Sequence, residues 1–353
     1  MPAYPESASN NSPQGKHRQH KILVCGVNWI GDSIMSMPAL QAFRRAHLSD
    51  QIDLLVKSSV APLWKIHRTP DHLHVLHEGL AGTLRTAWSL KSRRYEKAYI
   101  LPRSFRSALV PFLAGIPERI GMPGHSRDFL LTGTVIPILQ PGRTHQAYEY
   151  MDLLFGPGKM HDLPHPEIAL NARDLKKARV LVSATARPLI GLMPGAARGP
   201  SKRWPAGHFA QTARRLIQDH GYDAVVLGGK AEADICRETV KAIGGKALNV
   251  AGLTTLPESM ALLSLLSLLI ANDSGGMHMA AAVGTPVVAV YGATDPGITG
   301  PLGSHHRIVQ SDGAKSRDIK RNSAAAQKAL EAITPEQVCG EALKALAGDF
   351  QSP

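Results

Sequence analysis

Along this chain, short and nearly unbroken apolar runs alternate with longer stretches of helical period. KILVCGV (21–27) is the first such run, followed by a loop and a helix predicted from about Ser33 to His47. QIDLLVK (51–57) and YEKAYILP (95–102) repeat it in the first half. PLIGLMPG (188–195), DAVVLGG (223–229), ALNVAG (247–252), SLLIAND (267–273) and TPVVAVYG (285–292) repeat it in the second. Apolar strands separated by helices predict parallel sheets covered on both faces, an α/β fold. The Pro-punctuated stretch 159–174 has only weak periodicity and marks a domain junction. The pattern predicts two doubly wound, Rossmann-like domains facing a cleft, over residues 21–170 and 171–353. Ligands of such sheets bind beyond the carboxyl ends of the strands, so the loops that follow the strands are where chemistry is sought.

A length of 353 residues agrees with two domains. The longest apolar run, 260–271, is 12 residues long and broken by serines. A membrane span needs about 20, so this run reads as a buried core helix. Residues 1–20 lack the apolar segment of a secretory signal and read as a disordered leader. Cys25, Cys236 and Cys339 are odd in number and far apart, which argues against a disulfide framework and a cysteine metal site and for a reducing, cytoplasmic setting.

Forty Lys and Arg against 28 Asp and Glu give a net charge of +12, which favours an anionic partner. The excess is divided evenly, with 17 basic and 12 acidic residues over 21–170 and 21 and 15 beyond, and no run of five cations. Aromatic residues are 5% of the chain, too few for obvious base-stacking platforms. Both observations disfavour nucleic acid and leave a phosphorylated substrate or an anionic membrane surface. Peripheral membrane contact is an expectation from charge alone, since no amphipathic anchor is evident in the sequence.

The loop Gly26-Val27-Asn28-Trp29-Ile30-Gly31-Asp32-Ser33 has the outline of a phosphate loop. A dinucleotide fingerprint needs its central glycine where Asn28 stands, and a Walker loop needs lysine where Asp32 stands. Both nucleotide readings fail. Asp32 then serves either as a helix N-cap, accepting the amides of Ile34 or Met35, or as a general base facing the cleft, with Gly31 admitting a substrate.

Three loops of the second half carry further candidates. In 195–205, Ala196 and Ala197 let the backbone approach a ligand, and Lys202 supplies a mobile charge suited to a phosphate. In 272–278, Asp273, Ser274, Gly275 and Gly276 open an alanine-rich helix whose free amides favour an anion, with His278 in its first turn. In 228–232, Glu232 stands just past a strand, either holding ribose hydroxyls or complementing a helix terminus. No Asp-x-Asp pair and no His/Cys/Asp cluster has metal-ligand spacing. Neutralising a diphosphate would fall to the helix end and Lys202.

The segments KILVCGVNWIGDSIMSMPAL, MPGAARGPSKRWPAGHFA and NDSGGMHMAAAVGTPVVAVYGATDP, in this order, resemble glycosyltransferase family 9, the ADP-heptose:lipopolysaccharide heptosyltransferases, and within it the heptosyltransferase II type. The likeness extends from about Lys21 to Ala347. It implies a GT-B fold, an ADP-heptose donor and inversion at the anomeric carbon, with no metal or other cofactor. Asp32 then corresponds to the catalytic base, and Lys202 to the lysine beside the donor phosphate. Asp273, Ser274, Gly275 and His278 match the donor-binding motif, and Glu232 the ribose-binding acid. The acceptor implied is the lipopolysaccharide inner core, receiving its second heptose, with a first or later heptose as the alternative. Arg103, Arg106, Arg127 and His145, in a basic segment of the first domain, are candidate acceptor contacts. One departure is that 311–330 lacks the cysteines that many chains of this type carry there; that segment is expected to shape acceptor or domain contacts. A nucleotide-sugar epimerase or hydrolase, and a non-catalytic nucleotide-sugar-binding protein, are the readings from other classes.

Overall fold

The computed structural model describes residues 19–350 apart from 141, 160–161, 314 and 316–319. The expected leader therefore lies, through residue 18, outside the described residues, as does part of the cysteine-free segment 311–330.

Two six-stranded, wholly parallel sheets form the framework. The first contains β1 (Lys21–Cys25), β2 (Gln51–Lys57), β3 (His72–Leu76), β4 (Lys97–Ile100), β5 (Glu118–Gly121) and β6 (Gly133–Thr134) in the order β3-β2-β1-β4-β5-β6. The second contains β7 (Leu189–Met193), β8 (Asp223–Val226), β9 (Ala247–Asn249), β10 (Leu268–Asn272), β11 (Val287–Tyr291) and β12 (His306–Gln310) in the order β12-β11-β10-β7-β8-β9. Read from its own first strand, each sheet has the same doubly wound order. The strand order reverses between β1 and β4 in one and between β7 and β10 in the other. Those two switch points are where a crevice opens at the carboxyl ends.

The central strands are buried on both faces, which is why they read as continuous apolar runs: β10 and β11 have no exposed residue. The strands absent from the sequence reading, β3, β5, β6 and β12, lie at or next to sheet edges and keep polar residues in HLHVL, ERIG and HRIVQ. The apolar run 260–271 corrects another expectation. It is the end of a helix, Leu256–Leu263, a turn, and then β10, not one buried helix. Thr255 and Glu258 form a capping box that starts the helix, and Ser264 ends it.

The two sheets share one apolar cluster. Ile22, Val24 and Leu40 from the first half and Ala271, Ala280 and Val287 from the second belong to it. The helix Ile30–Ala46 bridges the halves, packing on Ala147–Phe155 of its own side and on Gly275–Ala282 of the other. No helix among the described residues is long and apolar enough to cross a membrane.

Candidate active site

The carboxyl-end loops of β1, β7, β8 and β10 converge on one cavity of about 840 Å³. Asp32, Arg103 and Trp29 stand on one wall; Lys202, Glu232 and the Asp273–Gly276 segment stand on the other. Ala196, Ala197 and His278 line it as well. The structure thus brings together every candidate of the second half with Asp32 from the first.

Helix Ile30–Ala46 begins three residues earlier than expected, with Trp29 as its N-cap residue. That removes the N-cap reading of Asp32, which occupies the first turn instead. Its Oδ1 accepts a hydrogen bond from Gln146 Nε2 at 3.3 Å. Gln146 was missed by sequence reasoning because it lies 114 residues away and carries no local signal. Its own backbone N–H donates to Ile298 O at 2.9 Å, so the side chain that holds Asp32 is anchored to the opposite half of the molecule.

Gly31 does something other than admit a substrate. A Cβ there would stand 2.8 Å from Cδ2 of His278. A Cβ on Gly275 would stand 3.0 Å from Cβ of Ile30. The two glycines let the helices of the two halves meet at backbone contact, and this places Asp32 opposite the Asp273 loop. His278 is buried in this seam, and burial holds its pKa down at about 3. The ring is neutral near pH 7 and donates through a single nitrogen, rather than acting as a cation.

On the far wall, Asn272 joins two loops. Its Oδ1 accepts from the Trp204 amide at 2.9 Å, and its Nδ2 donates to Pro194 O at 2.8 Å. The strand-end loop that carries Lys202 is thereby stitched to the one that carries Asp273. Lys202 Nζ forms an ion pair with Asp273 Oδ2, which also accepts from Thr294 Oγ1 at 2.6 Å. An ammonium has three protons; Asp273 takes one, on a side chain that itself lines the cavity. Glu232 Oε2 accepts from the Gly229 amide at 2.8 Å, while Oε1 sits where a Cβ on Gly195 would be, 2.2 Å away. Its local hydrogen bond and its place on the cavity wall coexist.

Arg198, Lys202, Arg203 and Arg321 surround this half of the cavity, where an anion of two phosphates would be neutralised. Arg321 was not singled out in the sequence. It belongs to the segment 311–330, whose described residues pack on the Lys202 loop: Ser201 Oγ donates to Lys320 O and Arg321 O, both at 2.7 Å. The segment was expected to shape acceptor or domain contacts; its described residues support the loop that carries Lys202.

Three of the four candidate acceptor contacts are engaged elsewhere in the fold. Arg127 is fully buried. Its guanidinium donates to Met122 O at 2.6 Å, to Ser107 Oγ at 3.2 Å and to Pro102 O, and burial lowers its pKa. Replacing it with methionine strands these acceptors, and an expected loss of about 3 kcal/mol in a urea melt follows. A melt unchanged within error would return Arg127 to the surface role. Arg106 is bound to Thr83 Oγ1 at 2.8 Å and to His77 O. His145 donates from Nε2 to Gly300 O at 3.0 Å and accepts from the Ala147 amide at 3.1 Å; burial lowers its pKa and keeps it neutral. None of these three lines the cavity, whereas Arg103 does, paired with buried Glu149 at 3.1 Å.

The profile of glycosyltransferase family 9 (heptosyltransferase) matches residues 83–329. The lipopolysaccharide heptosyltransferase 2 of Escherichia coli K12 is 34% identical over 341 residues, covering 91% of this chain and 97% of that one. The enzyme of the same name from Salmonella typhimurium is 32% identical, with the same coverage. The solved structure of E. coli ADP-heptose lps heptosyltransferase II superposes with a TM-score of 0.79 at 30% identity, over 93% of this chain and 99% of that one. A family 9 glycosyl transferase from Veillonella parvula, at 23% identity and a TM-score of 0.80, shares the fold. The chain belongs to glycosyltransferase family 9, the heptosyltransferases, and is a glycosyl-transferring enzyme with two doubly wound domains of the GT-B kind.

Proposed function

We propose that the protein moves heptose from ADP-heptose to the lipopolysaccharide inner core, adding the second heptose, by an inverting, metal-independent displacement. The observation that carries the reading is the opposition of Asp32 to the Lys202–Asp273 pair across one cavity, each at the carboxyl end of its own sheet. A single displacement needs a base on one face of the sugar carbon and a neutralised leaving group on the other. The acceptor hydroxyl oxygen forms the new bond to the anomeric carbon as its proton passes to Asp32. The bond from that carbon to the phosphate oxygen breaks, and ADP departs with its charge met by Lys202, the neighbouring arginines and the amides of 274–276. Residues 171–353 are assigned to the donor and 21–170 to the acceptor, with Arg103 as its contact. The names of the relatives support the choice of heptose and of the second-heptose acceptor.

The test is ADP release and product mass followed together, with purified protein, EDTA, ADP-heptose and a heptosyl-Kdo-lipid A acceptor. A gain of one heptose that requires the acceptor is expected. ADP release without acceptor would mean hydrolysis, and transfer to Kdo-lipid A alone would mean the first heptose.

Glu232 is proposed to hold the ribose. Gly195→Ala would put a methyl where the carboxylate rests. ADP affinity by calorimetry is expected to fall about 10- to 100-fold, the worth of a charge-assisted hydrogen bond. An unchanged Kd would leave Glu232 as a local cap.

A further inference from the structure

The helix Gly79–Lys91 buries its small and polar side and exposes its large apolar one. Gly82, Thr83, Thr86, Ala87 and Leu90 are buried. The threonine hydroxyls are satisfied on the helix itself, Thr83 on Gly79 O at 2.9 Å and Thr86 on Gly82 O at 2.8 Å. Leu80, Leu84 and Trp88 follow one another at four-residue intervals, the spacing of a single stripe. They are 82%, 59% and 80% exposed. Single exposed leucines are ordinary, but an aligned row of three large apolar side chains marks a contact surface.

The charge around the stripe indicates what it contacts. From 79 to 95 the chain has Arg85, Lys91, Arg93 and Arg94 and no acidic residue, and all four cations are exposed. A leucine and indole row bordered by cations matches the boundary of an anionic bilayer, where the apolar groups enter the acyl edge and the cations meet phosphate headgroups. We propose that this helix docks the protein on an anionic lipid surface. Sequence reading found no amphipathic anchor because Thr83, Thr86 and Ala87 look as surface-suited as Leu84 looks buried; only the packing shows which side faces water.

The helix also stands in the right place. It starts three residues after the carboxyl end of β3, on the cleft side of the sheet. Arg106, three residues beyond cavity-lining Arg103, ties down its first turn through Thr83 Oγ1 and Gly79 O. A protein docked through Leu80 and its stripe therefore holds the cavity mouth against the lipid. That purpose rests on the proposed lipid-anchored acceptor; the docking itself does not.

The experiment is co-sedimentation of the full chain with phosphatidylglycerol-containing vesicles and with pure phosphatidylcholine vesicles. The wild type is expected to bind the former and to bind the latter weakly, with Trp88 emission quenched by brominated lipid. Leu80→Ser/Leu84→Ser/Trp88→Ser is expected to lose about 100-fold in partition. Arg85→Glu/Arg93→Glu/Arg94→Glu is expected to lose at least about fivefold per replaced cation, on the anionic vesicles only. Should the first variant misfold, the second decides. Both should keep kcat/KM on a delipidated acceptor. Wild type that stays in the supernatant, or variants that sediment as it does, would overturn the proposal. A vesicle-free dimer that the serine variant dissolves would overturn it too, as the stripe would then join two copies of this chain. Sedimentation needs no turnover, so a wrong substrate assignment would leave its result standing.

Discussion

Asp32→Asn is expected to lower turnover by about two to four orders of magnitude, the contribution of a general base. Asparagine keeps the shape of the side chain and can still face Gln146, so the hydrogen bond at 3.3 Å survives in altered form. What is lost is the ability to take a proton. The proposed donor site is on the other wall, so ADP affinity should stay within about threefold, a difference of under 1 kcal/mol. Removing a carboxylate from the first turn of Ile30–Ala46 costs about 0.3–1 kcal/mol of helix-dipole stabilisation, too little to unfold the chain. The diagnostic pattern is a collapsed kcat with donor binding and melting midpoint intact. Activity within a few-fold of wild type would remove Asp32 from the role of base. Gln146→Ala is the natural companion: it leaves the carboxylate in place but releases it, so a smaller loss in kcat is expected than for Asp32→Asn.

The legibility of the fold followed burial. β2 was read at its observed bounds because QIDLLVK is buried over five consecutive residues in the middle of a sheet. β3 and β12 escaped because histidine and arginine interrupt the apolar run: an edge position leaves His72 in solvent, and Arg307, though buried, is paired with Glu341. The run 260–271 was misassigned for another reason. Apolar composition alone does not separate a buried helix from a buried strand, and Ser264, which ends the helix, is no different in sequence from Ser267, the run's other serine.

The site was legible one loop at a time. Asp32, Lys202, Glu232 and Asp273 each follow a strand, and a parallel sheet sends all such loops to one end. What no local pattern contains is who meets whom. The Lys202–Asp273 pair joins positions 71 residues apart, the Gln146–Asp32 contact positions 114 apart, and the Gln146 backbone N–H reaches Ile298 of the other half. A glycine was misread in the same way. Gly31 reads as room for a ligand, while the space beside it is filled by His278 of the protein itself, as Glu232 fills that beside Gly195. Arg127 failed because arginines are ordinarily exposed, and its carbonyl cage is assembled from 102–107 and 122, which nothing in its own neighbourhood announces.

Lys202→Met is expected to show that one ion pair serves two purposes. Loss of the ammonium removes a fixed charge from the departing diphosphate, with an expected fall in kcat of about 10²- to 10³-fold. It also leaves the carboxylate of Asp273, 7% exposed, accepting from Thr294 but without its ammonium partner. An unpaired charge of that burial costs about 1–3 kcal/mol, read as a lower urea midpoint. The two effects separate in the double variant Lys202→Met/Asp273→Asn. Neutralising Asp273 removes the stranded charge, so stability should return towards wild type while turnover stays lost. If the double variant recovered both, Lys202 would be a structural partner of Asp273 and the leaving group would be stabilised elsewhere, with Arg198, Arg203 and Arg321 the cations in place to do it. If stability fell and kcat held in the single variant, the same conclusion would follow without the double. Loss of turnover that persists after the fold is restored is the outcome that fixes the ammonium on the phosphate side of the breaking bond, facing Asp32 across the sugar.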